Sequence, residues 1–224
     1  MSEGAEKPSR PVALEDRGKS TDGRRYAPST ARNREPIRDV FAAEGLVDGR
    51  ALEIASGTGE HGAFLTDAFE GLVWTYSDID AEGRVSQAAW KAAAGHGRLM
   101  GPLTIDVSTD EWAWTEPGAW DLLVCINMTH ISPFNATTGL LRGAGRLLRP
   151  GGHLFLYGPY ARNGEIAPSN AAFSENLKSR HPDWGVRDLD REIVPLAEAA
   201  GLALANVVAM PANNLSVIFR RQDY

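Results

Sequence analysis

The sequence predicts an α/β fold: a mostly parallel sheet, covered by helices on both faces and closed by an antiparallel hairpin. Three observations predict it. Short apolar runs alternate with helical patterns from residue 51 onward, the order that right-handed βαβ units require. A glycine-rich turn directly follows the first of those runs. Near the C-terminus two apolar runs are separated only by Met210-Pro211-Ala212-Asn213-Asn214, a hairpin spacing.

The elements follow in chain order. Residues 1–25 are rich in charge, Gly, Ser and Pro without periodicity and read as a flexible arm, leaving 26–224 as one domain. Asn33 to Glu44 reads as a helix with Pro36 in its first turn and Ile37, Val40 and Phe41 on one face. Ala51 to Ala55 is a short buried strand, followed by glycines and a helix through about Phe69. Leu72 to Tyr76 is the second strand, Ala81 to Ala94 a helix, and Leu103 to Ile105 a weak third strand. Trp120 to Ile126 is the strongest strand in the chain. A helix over 135–148 stops at Arg149-Pro150-Gly151-Gly152. His153 to Tyr157 is the fifth strand, and the 159–200 segment is long enough for two helices. Leu202 to Ala209 and Leu215 to Arg220 then form the hairpin. Five βα units plus that hairpin give a Rossmann-like, seven-stranded sheet, the pattern of the class I methyltransferase fold.

Composition narrows the function. The chain of 224 residues has a net charge of −6. Residues 51–224 hold 13 Lys and Arg against 20 Asp and Glu, an acidic domain poorly suited to a long phosphate backbone. No nucleic-acid partner is expected, and an Asn/Asp-Pro-Pro-Tyr string of base methylation is missing. No run approaches 18 apolar residues, so no membrane span is expected. One Cys and no Cys/His cluster exclude an internal disulfide and a metal site, and the expected location is cytoplasmic.

The chemistry gathers at Glu53-Ile54-Ala55-Ser56-Gly57-Thr58-Gly59-Glu60-His61-Gly62. Gly57, Gly59 and Gly62 match G-x-G-x-x-G between a strand and a helix, which brings backbone amides close to a ligand at a helix N-terminus. NAD and S-adenosylmethionine compete for such a turn. A dinucleotide turn places its first glycine immediately after the strand. Here the acid Glu53 lies inside the strand end, four residues before Gly57, and Ala55 stands where a further glycine would be. That arrangement favours S-adenosylmethionine. Asp78, ending the second strand, is the expected acceptor of ribose hydroxyls, with Asp80 as the near alternative. Asp106 and Val107 after the third strand suit adenine, and Ser56 and Asn127 complete the expected cofactor set.

From these residues the chain resembles domain-of-unknown-function family 938, a group of class I S-adenosylmethionine-dependent methyltransferase-like proteins. The matching strings include Arg32-Asn33-Arg34-Glu35-Pro36-Ile37, Leu52 to His61, Ser77-Asp78-Ile79-Asp80 and Ile126-Asn127-Met128-Thr129-His130-Ile131-Ser132-Pro133. Leu156-Tyr157-Gly158-Pro159-Tyr160, Trp184 to Leu189 and Met210 to Ser216 match as well. The resemblance implies the fold and the cofactor, S-adenosylmethionine, but no substrate.

Ligands of open parallel sheets bind beyond the carboxyl ends of the strands. His130 follows the central strand there and is the expected general base, since an imidazole titrates near neutral pH; the bland alternative is a loop-shaping His. Asn33, Tyr160, Asn170, Arg187, Asn213 and Asn214 are the expected substrate contacts. Asn213 and Asn214 could instead serve their turn, and Arg187 could pair with Asp188 or clamp a carboxylate. Cys125 reads as core, and Trp112 and Trp114 as packing rather than an aromatic substrate platform. The leading function is methyl transfer to oxygen, nitrogen or sulfur of a small molecule. The alternatives are a non-catalytic S-adenosylmethionine-binding regulator and, third, an NAD-dependent oxidoreductase. Oligomeric state is not legible.

Overall fold

The computed structural model describes residues 18–109, 112 and 117–223; most of the expected arm, residues 1–17, and Trp114 lie outside them. A two-residue ladder of β1 (Gly18–Lys19) and β2 (Arg25–Tyr26) leads into α1 (Pro28–Ala43). Then come β3 (Asp48–Ile54), α2 (Glu60–Ala68), β4 (Gly71–Ser77), α3 (Ala81–Ala93) and β5 (Leu99–Leu103). The second half contains β6 (Trp120–Ile126), α4 (Phe134–Leu147), β7 (Leu148–Ala161), α5 (Pro168–Arg180) and β8 (Arg187–Asp188). It closes with α6 (Val194–Ala199), β9 (Leu202–Met210) and β10 (Asn214–Arg221).

The main path of the sheet runs β5-β4-β3-β6-β7-β10-β9, with the short β8 paired to β7 off that path. Neighbours from β5 to β7 are parallel. β10 is antiparallel to both β7 and β9, as the hairpin spacing predicts. The period-2 alternation divides the core between two faces. Leu52, Ile54, Leu123 and Cys125 pack on one side with α4 and Leu189, Ile193 and Ala197. Ala51, Leu122, Val124, Trp74 and Tyr76 pack on the other with Ile37 and Phe41 of α1.

Three boundaries differ from the sequence reading. Pro28, not Pro36, is the first-turn proline of the first helix, and Pro36 lies inside α1. It forfeits only the bond to the carbonyl of Arg32, on an exposed stretch of the helix. The third strand is Leu99–Leu103, not 103–105. Its Gly101-Pro102 hides the strand signal, and an edge strand tolerates such a proline. β7 begins at Leu148, so Pro150-Gly151-Gly152 makes an irregularity within the β6–β7 ladder instead of a break before it.

Candidate cofactor and substrate site

After β3 the chain enters left-handed backbone at Ala55 (φ 56°), Gly57 (φ 56°) and Gly59 (φ 88°) before α2 begins. Hydrogen bonds fix this turn to the end of β4. Ser56 N–H donates to the Ser77 carbonyl (2.8 Å) and Ser77 N–H to Ser56 Oγ (3.1 Å). Gly57 N–H donates to Asp78 Oδ2 (2.8 Å), and Asp80 N–H to Asp78 Oδ1 (2.9 Å). Asp78 also ends the strand beside β5, its N–H bonded to the Leu103 carbonyl. A Cβ at Gly57 would have no atom within 4 Å, so the outer face of the turn is open. Ile79, 57% exposed, adds an apolar surface beside it.

The other expected cofactor residues divide. Asp106 folds back on its own loop, accepting from Ser108 N–H (2.9 Å) and Oγ–H (2.6 Å), while Val107 is buried. Asn127 takes left-handed backbone (φ 65°) at the end of β6, its N–H on the Tyr157 carbonyl. Glu53 is not on the open edge. It is 1% exposed, and its Oε2 accepts from Trp74 Nε1–H at 3.0 Å. Burial pushes its carboxyl up to about 8, so it holds its proton at neutral pH. Glu53, counted in the expected cofactor set, therefore does not reach the rim and braces the interior beside the turn.

Glu60 and His61, unassigned above, join the site to α1. Glu60 Oε2 accepts from Ala27 N–H at 2.6 Å, and His61 Nε2 lies 2.9 Å from Asn33 Oδ1. Burial and the Arg34 charge pull His61 down to about 4, leaving a neutral imidazole. Asn33 also hydrogen-bonds the Tyr157 hydroxyl. Thus Asn33 spans α1, α2 and β7, and the start of α1 is pinned against the glycine turn. The signal was available: Glu60-His61 immediately follows the last glycine of the turn proper.

His130 departs furthest from expectation. It ends a single 3-10 turn, Met128–His130, and is 1% exposed. Its ring meets Tyr160 edge to face, with 4.8 Å between centroids, and Nε2 lies 3.2 Å from Thr129 Oγ1. Burial and the Arg187 charge pull it down to about 3. The near-neutral titration that recommended it as a general base is absent, because desolvation outweighs every stabilising contact. Arg187 does not pair with Asp188. Its guanidinium donates to the carbonyls of Thr129 (3.0 Å), Ser132 (2.9 Å) and Asp183 (2.7 Å), while Asp188 caps the residues that follow it. Arg187 is a strut beneath the His130 loop.

Four expected substrate residues do converge. Tyr160, Asn170, Asn213 and Asn214 line one cavity of about 440 Å³ beyond the ends of β7 and β9, with Met210 and Leu215 as apolar wall. Asn170 Nδ2 donates to the Asn213 carbonyl (2.9 Å), binding α5 to the β9–β10 turn. Ala212 and Asn213 hold positive φ there, so Asn213 serves the turn and the cavity together.

A Rossmann-like sheet in this strand order, carrying a glycine turn braced by Asp78, defines a class I S-adenosylmethionine-dependent methyltransferase. The chain belongs to the family described as "Protein of unknown function (DUF938)", whose model matches residues 24–221. It is 28% identical over 191 residues to a ubiquinone biosynthesis O-methyltransferase of Thiobacillus denitrificans, covering 82% of this chain and 77% of that one. Among solved structures, an O-methyltransferase family protein from Burkholderia thailandensis superposes with a TM-score of 0.73 at 18% identity. That match covers 87% of this chain and 58% of the other. PigF with SAH gives a TM-score of 0.69 at 18% identity, over 86% of this chain and 55% of PigF. At these identities the solved structures speak for the fold, and the chain spans just over half their length. Among the described residues no helix is long and apolar enough to cross a membrane.

Proposed function

We propose that this chain transfers a methyl group from S-adenosylmethionine to a small molecule. The cofactor lies over the glycine turn, and the substrate occupies the cavity of Tyr160, Asn170, Asn213 and Asn214. The observation that carries this reading is the junction of Gly57 and Asp78, an open-faced turn with a carboxylate on the next strand end. Such a carboxylate suits ribose hydroxyls, which donate to it. Exposed Ile79 offers an apolar face for adenine. In this reading Asp106, Val107 and Asn127 complete the cofactor contacts, while Ser56 and Glu53 hold the turn. When bound, the cofactor supplies an electrophilic sulfonium methyl. The protein's part is to hold the acceptor atom in line with it and to exclude water.

In this reading residues 26–224 are the transferase domain and 1–25 an arm whose end returns to α3, through Arg25 N–H on Ser86 Oγ (2.8 Å). A cytoplasmic setting is consistent with one buried free thiol, Cys125. The neutral, buried His130 favours a second reading, a regulator that holds the cofactor without turnover. Calorimetry with S-adenosylhomocysteine tests the shared premise, and no heat at millimolar ligand sinks both. Labelled S-adenosylmethionine with a small-molecule extract separates them, because any labelled product excludes the regulator.

A further inference from the structure

Resting on the placement of the cofactor over the glycine turn, we infer that residues 18–27 form a strap whose docking on α3 is linked to cofactor binding. Ser86 and Trp90 of α3 are the positioning residues that join the two. The strap is ordered in itself. β1 and β2 pair as an antiparallel ladder, and Ser20 N–H donates to the Arg24 carbonyl at 2.8 Å. Asp22 closes the bend between them, accepting from Arg24 N–H (3.2 Å) and Nε–H (2.8 Å). A segment tied to itself in this way docks as one piece.

One face of α3 receives it. Glu82, Ser86 and Trp90 follow one another at four-residue steps along the helix, so all three meet the same neighbour. Arg25 Nη2 pairs with Glu82 Oε2 (2.8 Å), Arg25 N–H donates to Ser86 Oγ (2.8 Å), and Trp90 Nε1–H donates to the Arg25 carbonyl (3.2 Å). Tyr26 meets the Trp90 ring edge to face, with 5.2 Å between centroids, and the Arg24 guanidinium lies 4.8 Å from the centre of the same ring. Cation, aromatic and backbone contacts therefore converge on two side chains of one helix.

The adjoining face of α3 carries the glycine turn. Gln87 Nε2 donates to the Gly57 carbonyl (3.1 Å), and Ser86 Oγ–H donates to the Thr58 carbonyl (2.7 Å). Gly83 lets the turn come close, because a Cβ there would lie 3.1 Å from the Gly57 carbonyl oxygen. Ser86 and Trp90 belong to both faces. The fully buried Ser86 hydroxyl accepts from the strap through its oxygen and donates to the turn through its hydrogen, so each bond polarises the other. Trp90 Cδ1 stands 3.2 Å from where a Cβ of Gly59 would be. The strap thus supports from behind the turn whose opposite face is open at Gly57. A ligand that needs the seated turn binds the strapped state better, and the docked strap favours the ligand by the same factor.

The test uses the full chain, trypsin and S-adenosylhomocysteine, with cleavage after Arg24 and Arg25 followed by mass spectrometry. Saturating S-adenosylhomocysteine should slow that cleavage by about fivefold or more. Tyr26→Ala loosens the strap at Trp90; it should speed cleavage and weaken S-adenosylhomocysteine binding in calorimetry by about the same factor. Ser86→Ala should lose the ligand's protection of Arg24 and Arg25 while the rest of the chain still resists trypsin. Wild-type protein that binds S-adenosylhomocysteine but is cut equally fast with and without it overturns the strap and leaves the transferase reading standing. No binding by wild type overturns both. Protection retained in Ser86→Ala refutes the role of Ser86. Should that variant fail to fold, unchanged affinity in a faster-cut Tyr26→Ala still overturns the linkage.

Discussion

The Asp78 carboxylate accepts the backbone N–H of Gly57 at 2.8 Å, so the residue expected to grip the cofactor also holds the turn beneath it. Removing that carboxylate has two separable costs. Asp78→Asn keeps the shape but loses the charge, and should weaken S-adenosylhomocysteine binding by about tenfold or more, in line with the loss of a charged hydrogen bond. Calorimetry reads this directly. Equal dissociation constants for Asp78→Asn and wild type would refute the ribose assignment. Asp78→Ala should in addition lower stability by about 1–3 kcal/mol, because the Gly57 N–H loses its partner.

His130 is expected to act through packing and not through its proton. Its ring fills the space between Tyr160 and Gly158, where a Cβ added at Gly158 would collide with Nε2. His130→Ala should therefore cost about 2–4 kcal/mol in urea denaturation, as other large-to-small core changes do. His130→Gln should leave the shape of the pH–rate profile unchanged from pH 5 to 8. An acid limb near pH 6.5 that vanishes in His130→Gln would restore the base role.

The mostly parallel sheet and its closing hairpin were legible because periodicity and spacing report burial directly, as in Trp120–Ile126 and the five residues between the last strands. The Gly57, Gly59 and Asp78 group was legible because strand ends and glycines locate a turn without side-chain detail. Three features were not. Glu53 alternates onto the interior face of β3, and a two-state period cannot say how far a strand end is covered. His130 has an unremarkable sequence neighbourhood, and its pKa is set by burial and by the charge of Arg187, distant in the chain. The pairing of Arg187 with three carbonyls depends on where the 128–133 loop passes, which no local pattern records.

Stability should peak near pH 6.5. His61 and His130 are lowered from 6.5 to about 4 and about 3, while Glu53 is raised from 4.5 to about 8. As pH falls below 6.5 the unfolded chain takes up protons at both histidines that the folded chain refuses, so acid destabilises. As pH rises the folded chain keeps the Glu53 proton that the unfolded chain has released, so stability declines through pH 8. Between 4.5 and 6.5 the two histidines outweigh Glu53. Above 6.5 Glu53 acts alone among these three. Thermal denaturation from pH 4.5 to 8.5 should show the maximum, and Glu53→Gln should flatten the alkaline limb. An unchanged limb in that variant would contradict the assignment.

Two glycines of the G-x-G-x-x-G motif, Gly62 within α2 and Gly57 in the turn, should fail in different ways. A Cβ at Gly62 would lie 2.5 Å from both Trp74 Nε1 and Tyr76 Cε1. Those rings carry the bonds to Glu53 and to the Gly59 carbonyl (2.8 Å), so Gly62→Ala must push both braces out. It should lose about 1–3 kcal/mol of stability by overpacking. Gly57→Ala meets no atom within 4 Å, and its cost is the positive φ alone, about 1–2 kcal/mol. Its methyl, however, stands on the open face, where the proposed cofactor site lies. Once stability is matched by temperature, Gly57→Ala should bind S-adenosylhomocysteine at least tenfold more weakly than wild type. Wild-type affinity in Gly57→Ala would mean that the cofactor does not lie against this face.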